Sequence, residues 1–363
     1  MHRFAPSTRK PAPPRARALR AAVAVGFAVA LASLALLVVR LADAPSVPLT
    51  LGAGAITGSL PRRLRFEWRL VRDRHWQIAS SPAESREATD QIEGTRGACP
   101  TGMVEVSGLM KLDPAPKTQG DLRSIDEMQR TTCKHWISRD YPERCAEFDR
   151  EKWLSMSKDL DTKPMHFCMD RYEYPNQKGV YPFILVSFYE ANELCAEEGK
   201  RLCDEAEWTF ACEGEEARPY PYGYIREPEA CVVDQAWRPY IETALRPRGG
   251  PAAMAEMDRL WQGMASGVQP RCRSPFGVYD MTGNIDEWTR SVREGERPSI
   301  LKGGYWGPVR TRCRPSTRSH DENHMFYQQG FRCCADHGAT IGVPAERAVT
   351  GDPAAAPLPR ELR

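Results

Sequence analysis

The chain has 363 residues, 41% of them hydrophobic, which is enough to bury a sizeable core in one large domain or two modest ones. Lys and Arg total 50 against 48 for Asp and Glu, but seven of the basic residues fall within the first 40 positions, so the rest is mildly acidic at 43 against 48. That balance argues against a nucleic-acid partner.

In chain order, the first element is a basic segment, residues 1–20, carrying Arg3, Arg9, Lys10, Arg15, Arg17 and Arg20 with no acid among them. Residues 21–39 (AAVAVGFAVALASLALLVV) follow as 19 positions without a charge. As a helix rising about 1.5 Å per residue, this run nearly matches a hydrocarbon core about 30 Å thick. Only Arg40 lies within the next stretch, so the positive-inside rule keeps residues 1–20 cytoplasmic. The expectation is a single-pass membrane protein with its anchor at residues 21–42 and the remainder extracytoplasmic, in the periplasm or at the cell exterior. Ala42-Asp43-Ala44 resembles a signal-peptidase site, but the apolar run is longer than the about 7–15 residues of a secretory signal.

Residues 43–94 begin Pro-rich and end in the polar run SSPAESREATD, a composition that suits a stalk or linker. Within it, PRRLRFEWRLVRDRHW sets Leu64, Trp68 and Val71 at helical spacing beside Arg65, Arg69 and Arg72, which predicts a short helix, solvated or lying on a membrane surface. The folded domain is expected over residues 95–338. PFILVSF (182–188) has the character of a buried strand leading into a helix over 189–198, with Ala191, Leu194 and Cys195 on one face. A second helix starts at Asp204, which with Glu207 three residues later makes a capping box; Trp208 and Cys212 share its face. SILKGG and QGFRCC suggest short strands, and PYPYG and Gly283-Asn284 mark turns. The fold class is therefore α+β with little regular secondary structure. Residues 339–363, rich in Ala and Pro, are expected to be a disordered tail.

Twelve cysteines suit an oxidising compartment, where thiols persist as disulfides. They lack the paired C-x-x-C spacing of a zinc site. Proximity in the chain suggests Cys231 with Cys272 and Cys133 with Cys145.

Seven motifs then fall in one order: CPTGMVEV (99–106), HFCMDRYEYPN (166–176), GKRLCDEAEW (199–208), YPYG (220–223), SPFGVYDMTGNIDEWT (274–289), LKGGYW (301–306) and QGFRC (329–333). Together they resemble the formylglycine-generating enzymes of the sulfatase-modifying-factor family. The resemblance implies a fold related to C-type lectins, supported by calcium and disulfides. It also implies the pairs Cys195–Cys333 and Cys212–Cys313, leaving Cys99, Cys168, Cys203 and Cys334 unassigned. Active members bind copper through two cysteines between the Gly-Gly-aromatic turn and the structural cysteine. Here that interval reads GPVRT, residues 307–311, with no thiol, and neither serine nor arginine replaces a thiolate for the soft Cu(I) ion. Copper is not expected.

The resemblance also implies a calcium site at GNIDEW, from Asn284 and Glu287 with the carbonyls of Gly283 and Ile285, all hard oxygen donors. Asp286 departs there from the family's usual Trp, and a second calcium site has no match across residues 232–265. Arg318 matches a family arginine near the substrate groove if a small insertion is allowed; its other reading is a salt bridge at the core rim. His320 and His324, four apart in SHDENH, suit either a metal site or a polar surface loop, of which the loop is preferred. These readings lead to a membrane-anchored domain that binds a protein, peptide or glycan without generating formylglycine. The alternatives are an oxidoreductase of the same superfamily with altered chemistry, using His320, His324 or an unassigned thiol, and a structural envelope protein.

Overall fold

The computed structural model describes residues 99–339, apart from 116, 117, 119, 120, 141, 249 and 294, and the backbone of 67–70 and 76–79. The anchor expected at 21–42 and the tail from 340 onward lie outside the described residues. Among the described residues no helix is long and apolar enough to cross a membrane.

In the region expected to be a stalk helix, strands β1 (Glu67–Leu70) and β2 (Trp76–Ala79) pair antiparallel, with Trp68 opposite Ile78. The helical expectation is corrected by a pattern also present in the sequence. Phe66, Trp68 and Leu70 alternate with Glu67 and Arg69, a period of two rich in strand-favouring residues.

The domain proper combines two four-stranded sheets and short helices. One sheet has the order β3-β6-β12-β7 and is antiparallel throughout: β3 (Met103–Lys111), β6 (Thr162–Asp170), β12 (Cys333–Asp336) and β7 (Arg201–Leu202). The other has the order β10-β9-β8-β11, with β8 (Asp286–Arg290), β9 (Ser299–Lys302), β10 (Ser316–Thr317) and β11 (Gln329–Phe331). It is mixed, because β11 runs parallel to β8. A separate hairpin joins β4 (Cys133–Ser138) and β5 (Arg144–Phe148). The helices are α1 (Ile125–Arg130), α2 (Arg150–Ser157), α3 (Phe188–Glu197), α4 (Glu205–Glu213) and α5 (Pro251–Leu260). None exceeds three turns, so packing and caps, not length, hold them.

Two helix starts show this. Ser187 accepts the Glu190 N–H at 3.2 Å while the Glu190 carboxylate accepts the Ser187 N–H at 2.8 Å, a reciprocal capping box. At α4 the Glu207 carboxylate accepts the Asp204 N–H at 2.9 Å. Residues 182–188, expected as a strand, form no strand: Leu185 has φ +57°, a left-handed conformation that takes the chain out of a ladder. Its apolar side chains are nevertheless buried, Phe183 beside Tyr174 and Phe331, and Ile184 beside Ile285.

Alternation on β3 and β6 sets the core. Val104, Val106, Phe167 and Met169 face Trp208, Ala211 and Cys212 of α4, as the two-residue period of a strand requires. Six disulfides lock this arrangement. Cys195–Cys333, Cys212–Cys313, Cys231–Cys272 and Cys133–Cys145 are joined, and the unassigned four form Cys99–Cys168 and Cys203–Cys334. Consecutive residues of a strand point to opposite faces. Cys333 and Cys334 thus reach different partners, one on α3 and the other at the end of β7.

Candidate functional site

The site is built on the turn after β9. Gly303 and Gly304 have φ +86° and +71°, and a Cβ on Gly303 would stand 2.8 Å from the Met281 carbonyl and 3.1 Å from the Trp208 ring. Only glycine fits there. The turn docks on Gly283-Asn284: the Gly283 N–H donates to the Gly303 carbonyl at 3.1 Å and the Trp306 N–H to the Asn284 carbonyl at 3.2 Å. Trp306 is buried against Trp261 and Tyr327. The chain then returns through residues 307–311 to Cys313, which is bonded to Cys212.

Beside this return lies a groove of about 550 Å³. Seven basic side chains line it, among them Lys302, Arg310, Arg314 and Arg318, against three acidic ones, Asp113, Asp126 and Glu205. A second hollow of about 350 Å³ shares Asp126, Arg310 and Pro315 with it. Arg310 comes from the interval where the resemblance would place copper cysteines, and it pairs with Asp286, the residue that departs from the family's Trp. The Gly304 N–H donates to the other Asp286 oxygen at 3.3 Å. Burial raises the Asp286 carboxyl above its ordinary range, and the Arg310 charge opposes that rise. Two departures from the motif pattern, 24 residues apart, are therefore one interaction.

Lys302 forms part of the groove floor. It is 1% exposed, donates to the Arg314 carbonyl at 2.7 Å and lies 5.4 Å from the centre of the Trp208 ring. Burial pulls its amine down to about 8, with Glu205 and Glu213 acting in the opposite sense. Arg314 reaches Glu213 and the Lys111 carbonyl. Arg318 lines the groove while donating to Glu205 at 2.7 and 2.8 Å and pairing with Glu296.

His320 and His324 stack with ring centres 3.9 Å apart, on a loop and not a helix. Neither lines the groove. His324 Nδ1 lies 2.9 Å from Gln329 Oε1, and among the described residues no third His, Cys or carboxylate joins the two rings as a metal-binding group. Burial, His324 and Arg310 together hold His320 below its usual range.

The two side chains of the oxygen set expected for calcium are already engaged, while the carbonyls of Gly283 and Ile285 complete that set. Glu287 accepts Arg332 Nε and Nη2 at 2.7 and 2.6 Å and the Trp208 indole N–H at 2.8 Å. Asn284 Oδ1 accepts the Met264 N–H at 2.8 Å, and its amide donates to Glu173 at 2.7 Å. A guanidinium thus supplies the positive charge beside Glu287, and Asn284 and Glu287 do not fit a calcium ion in this arrangement. Around them, burial pushes Asp280 up to about 7. Burial and the Asp280 and Glu287 charges hold Glu173 well above the carboxylate range.

All twelve cysteines of the sequence lie among the described residues, and none is free. Without a thiolate pair the donor set does not fit copper. Sequence reasoning identified the turn, Cys313 and Arg318, but not Lys302 as groove floor or the Asp286–Arg310 pair. Asp286 stood out as a departure from the residue the resemblance implies; its partner did not.

Comparison with known proteins supports the family resemblance. A model of the sulfatase-modifying factor enzyme 1-like domain matches residues 119–337. An inactive C-alpha-formylglycine-generating enzyme 2 of Bos taurus is 30% identical over 179 residues, covering 46% of this chain and 54% of that protein. A formylglycine-generating enzyme of Mus musculus is 28% identical over 177 residues, covering 43% and 45% respectively. The chain thus spans about half the length of these curated relatives. The crystal structure of CarF superposes with a TM-score of 0.38 at 14% identity, covering 65% of this chain and 98% of that one. With the family model covering more than half of its length, this chain belongs to the sulfatase-modifying factor enzyme 1-like family.

Proposed function

We propose that the chain is a membrane-anchored, extracytoplasmic recognition domain that binds a protein, peptide or glycan in the groove beside the Gly-Gly turn and does not convert cysteine to formylglycine. The observation that carries this reading is the pairing of every cysteine in the chain. A copper-dependent oxidation needs two thiolates at the turn, and that stretch instead holds Arg310, paired with Asp286. The similarity to a relative named as inactive is in keeping with it. Arg310, Arg314 and Arg318 are paired with acids, and the further basic side chains of the groove, Lys111 and Lys163, favour ligands bearing carboxylate or sulfate groups. The anchor rests on the uncharged run at 21–39 and its flanking charge, and six disulfides suit an oxidising compartment.

The test is to incubate the purified full chain with copper, oxygen and a cysteine-containing sulfatase peptide, and to titrate thiols in denaturant. No aldehyde product and no titratable thiol are expected. Formylglycine in the peptide, or a thiol pair that takes up one copper, would refute the proposal.

A further inference from the structure

On the face of the β3-β6-β12 sheet turned away from α4, three residues from three neighbouring chain segments converge. Glu105 lies on β3, His166 on β6 and His337 immediately after β12. The register brings them together. Asp336 pairs with Phe167, so the next step sets His337 across from His166; Glu105 pairs with Cys168, two residues along β6 on the same face. The two imidazoles stack with centres 3.5 Å apart. Both turn Nε2 toward one Glu105 oxygen, Oε1, at 2.9 Å from His166 and 3.3 Å from His337. The potential ligand atoms all lie within 4.8 Å of one another.

We infer that Glu105, His166 and His337 form a binding site for a divalent transition-metal ion, with zinc the best match. Zinc takes imidazole nitrogen and carboxylate oxygen at about 2.0–2.2 Å in a tetrahedron, which places neighbouring ligand atoms roughly 3.3 Å apart. The two nitrogen–oxygen separations fit that edge. Two imidazoles among three donors disfavour calcium and magnesium, which select oxygen.

The support is rigid. The Cys99–Cys168 disulfide sits beside His166 on the same face, and Met103, Ala335 and Ala339 pack around it. Ligands carried on strands hold their positions better than ligands on free loops. The side chains are 46%, 46% and 30% exposed for Glu105, His166 and His337, so the fourth coordination position opens to solvent. It can hold water or a side chain from another molecule. A bound ion would also clamp the end of β12 to β6 and β3.

The experiment loads the full chain with zinc, removes excess by gel filtration and counts metal by mass spectrometry. About one zinc per chain is expected for wild type and for H320A/H324A. H166A and H337A should lose it, and E105Q should hold it more weakly in a chelator competition. In cobalt(II)-loaded wild type, the visible absorption of a four-coordinate ion should appear and should vanish in H337A. His337 lies beyond the last strand residue, so this variant retains the fold that circular dichroism verifies. Zinc retained by H337A, zinc held by E105Q as tightly as by wild type, or none bound by wild type overturns the site and leaves a surface trio in which both histidines donate to Glu105.

Discussion

Asp286 and Glu287 are consecutive residues of β8, and each meets an arginine, yet the two pairs do different work. Glu287–Arg332 is sealed, with side chains 1% and 0% exposed, and the indole of Trp208 completes it. Asp286–Arg310 stands at the groove wall, with 5% and 11% exposure. The first joins α4, β8 and the segment between β11 and β12, so it belongs to the fold. The second carries the carboxylate at which the resemblance implies a Trp, and it reaches through Arg310 into the interval where the resemblance implies copper ligands. One strand thus carries the scaffold on one side chain and the departure from the family on the next.

Breaking the sealed pair should have the largest effect. R332M strands the Glu287 carboxylate, and losses of about 3–5 kcal/mol follow from removing one partner of a buried pair; a urea midpoint unchanged from wild type would place Arg332 outside the core. Lys302, opposite Glu287 in the β8–β9 register, sharpens the contrast through pH. Its amine titrates at about 8 when folded, below its ordinary 10.5. Between those values the unfolded chain binds more protons than the folded one, and stability rises with pH. At about 1.4 kcal/mol per pH unit, the Lys302 contribution spans on the order of 3–4 kcal/mol in all, and K302M should flatten the slope between pH 8 and 10 relative to wild type. An identical slope in the two proteins would sink the assignment.

The groove pair should be more forgiving. R310M is expected to cost about 1–2 kcal/mol, because groove water rescues Asp286 in part, and D286L/R310M should recover most of it. Additive losses in that double-mutant cycle would show that the two residues do not depend on each other. R318A should be smallest, under about 1 kcal/mol in thermal unfolding, since Arg318 is one-third exposed.

The parts legible in sequence were those fixed by short-range chemistry. Asp204 and Glu207 announce α4 because a capping box is a three-residue event, and Cys133 with Cys145 is a pairing across 12 residues. Cys195–Cys333 and Cys212–Cys313 came only through family resemblance, since spacing carries no information across separations of 138 and 101. Leu185 defeated the strand reading because nothing in PFILVSF signals a positive φ. Arg310 with Asp286, and His166 with His337, join residues whose proximity exists only after the sheets have formed. The candidate groove was legible as a location and not as a chemistry.

The double cysteine at the start of β12 has a consequence for synthesis. Cys195 and Cys203 find their partners only at Cys333 and Cys334, nearly the last residues of the domain to be made. Two thiols must travel through more than a hundred residues of elongation unpaired, and a chain stopped anywhere before 333 presents them to whatever else is oxidisable. Completion of the final strand is thus the point at which this domain commits to its own connectivity.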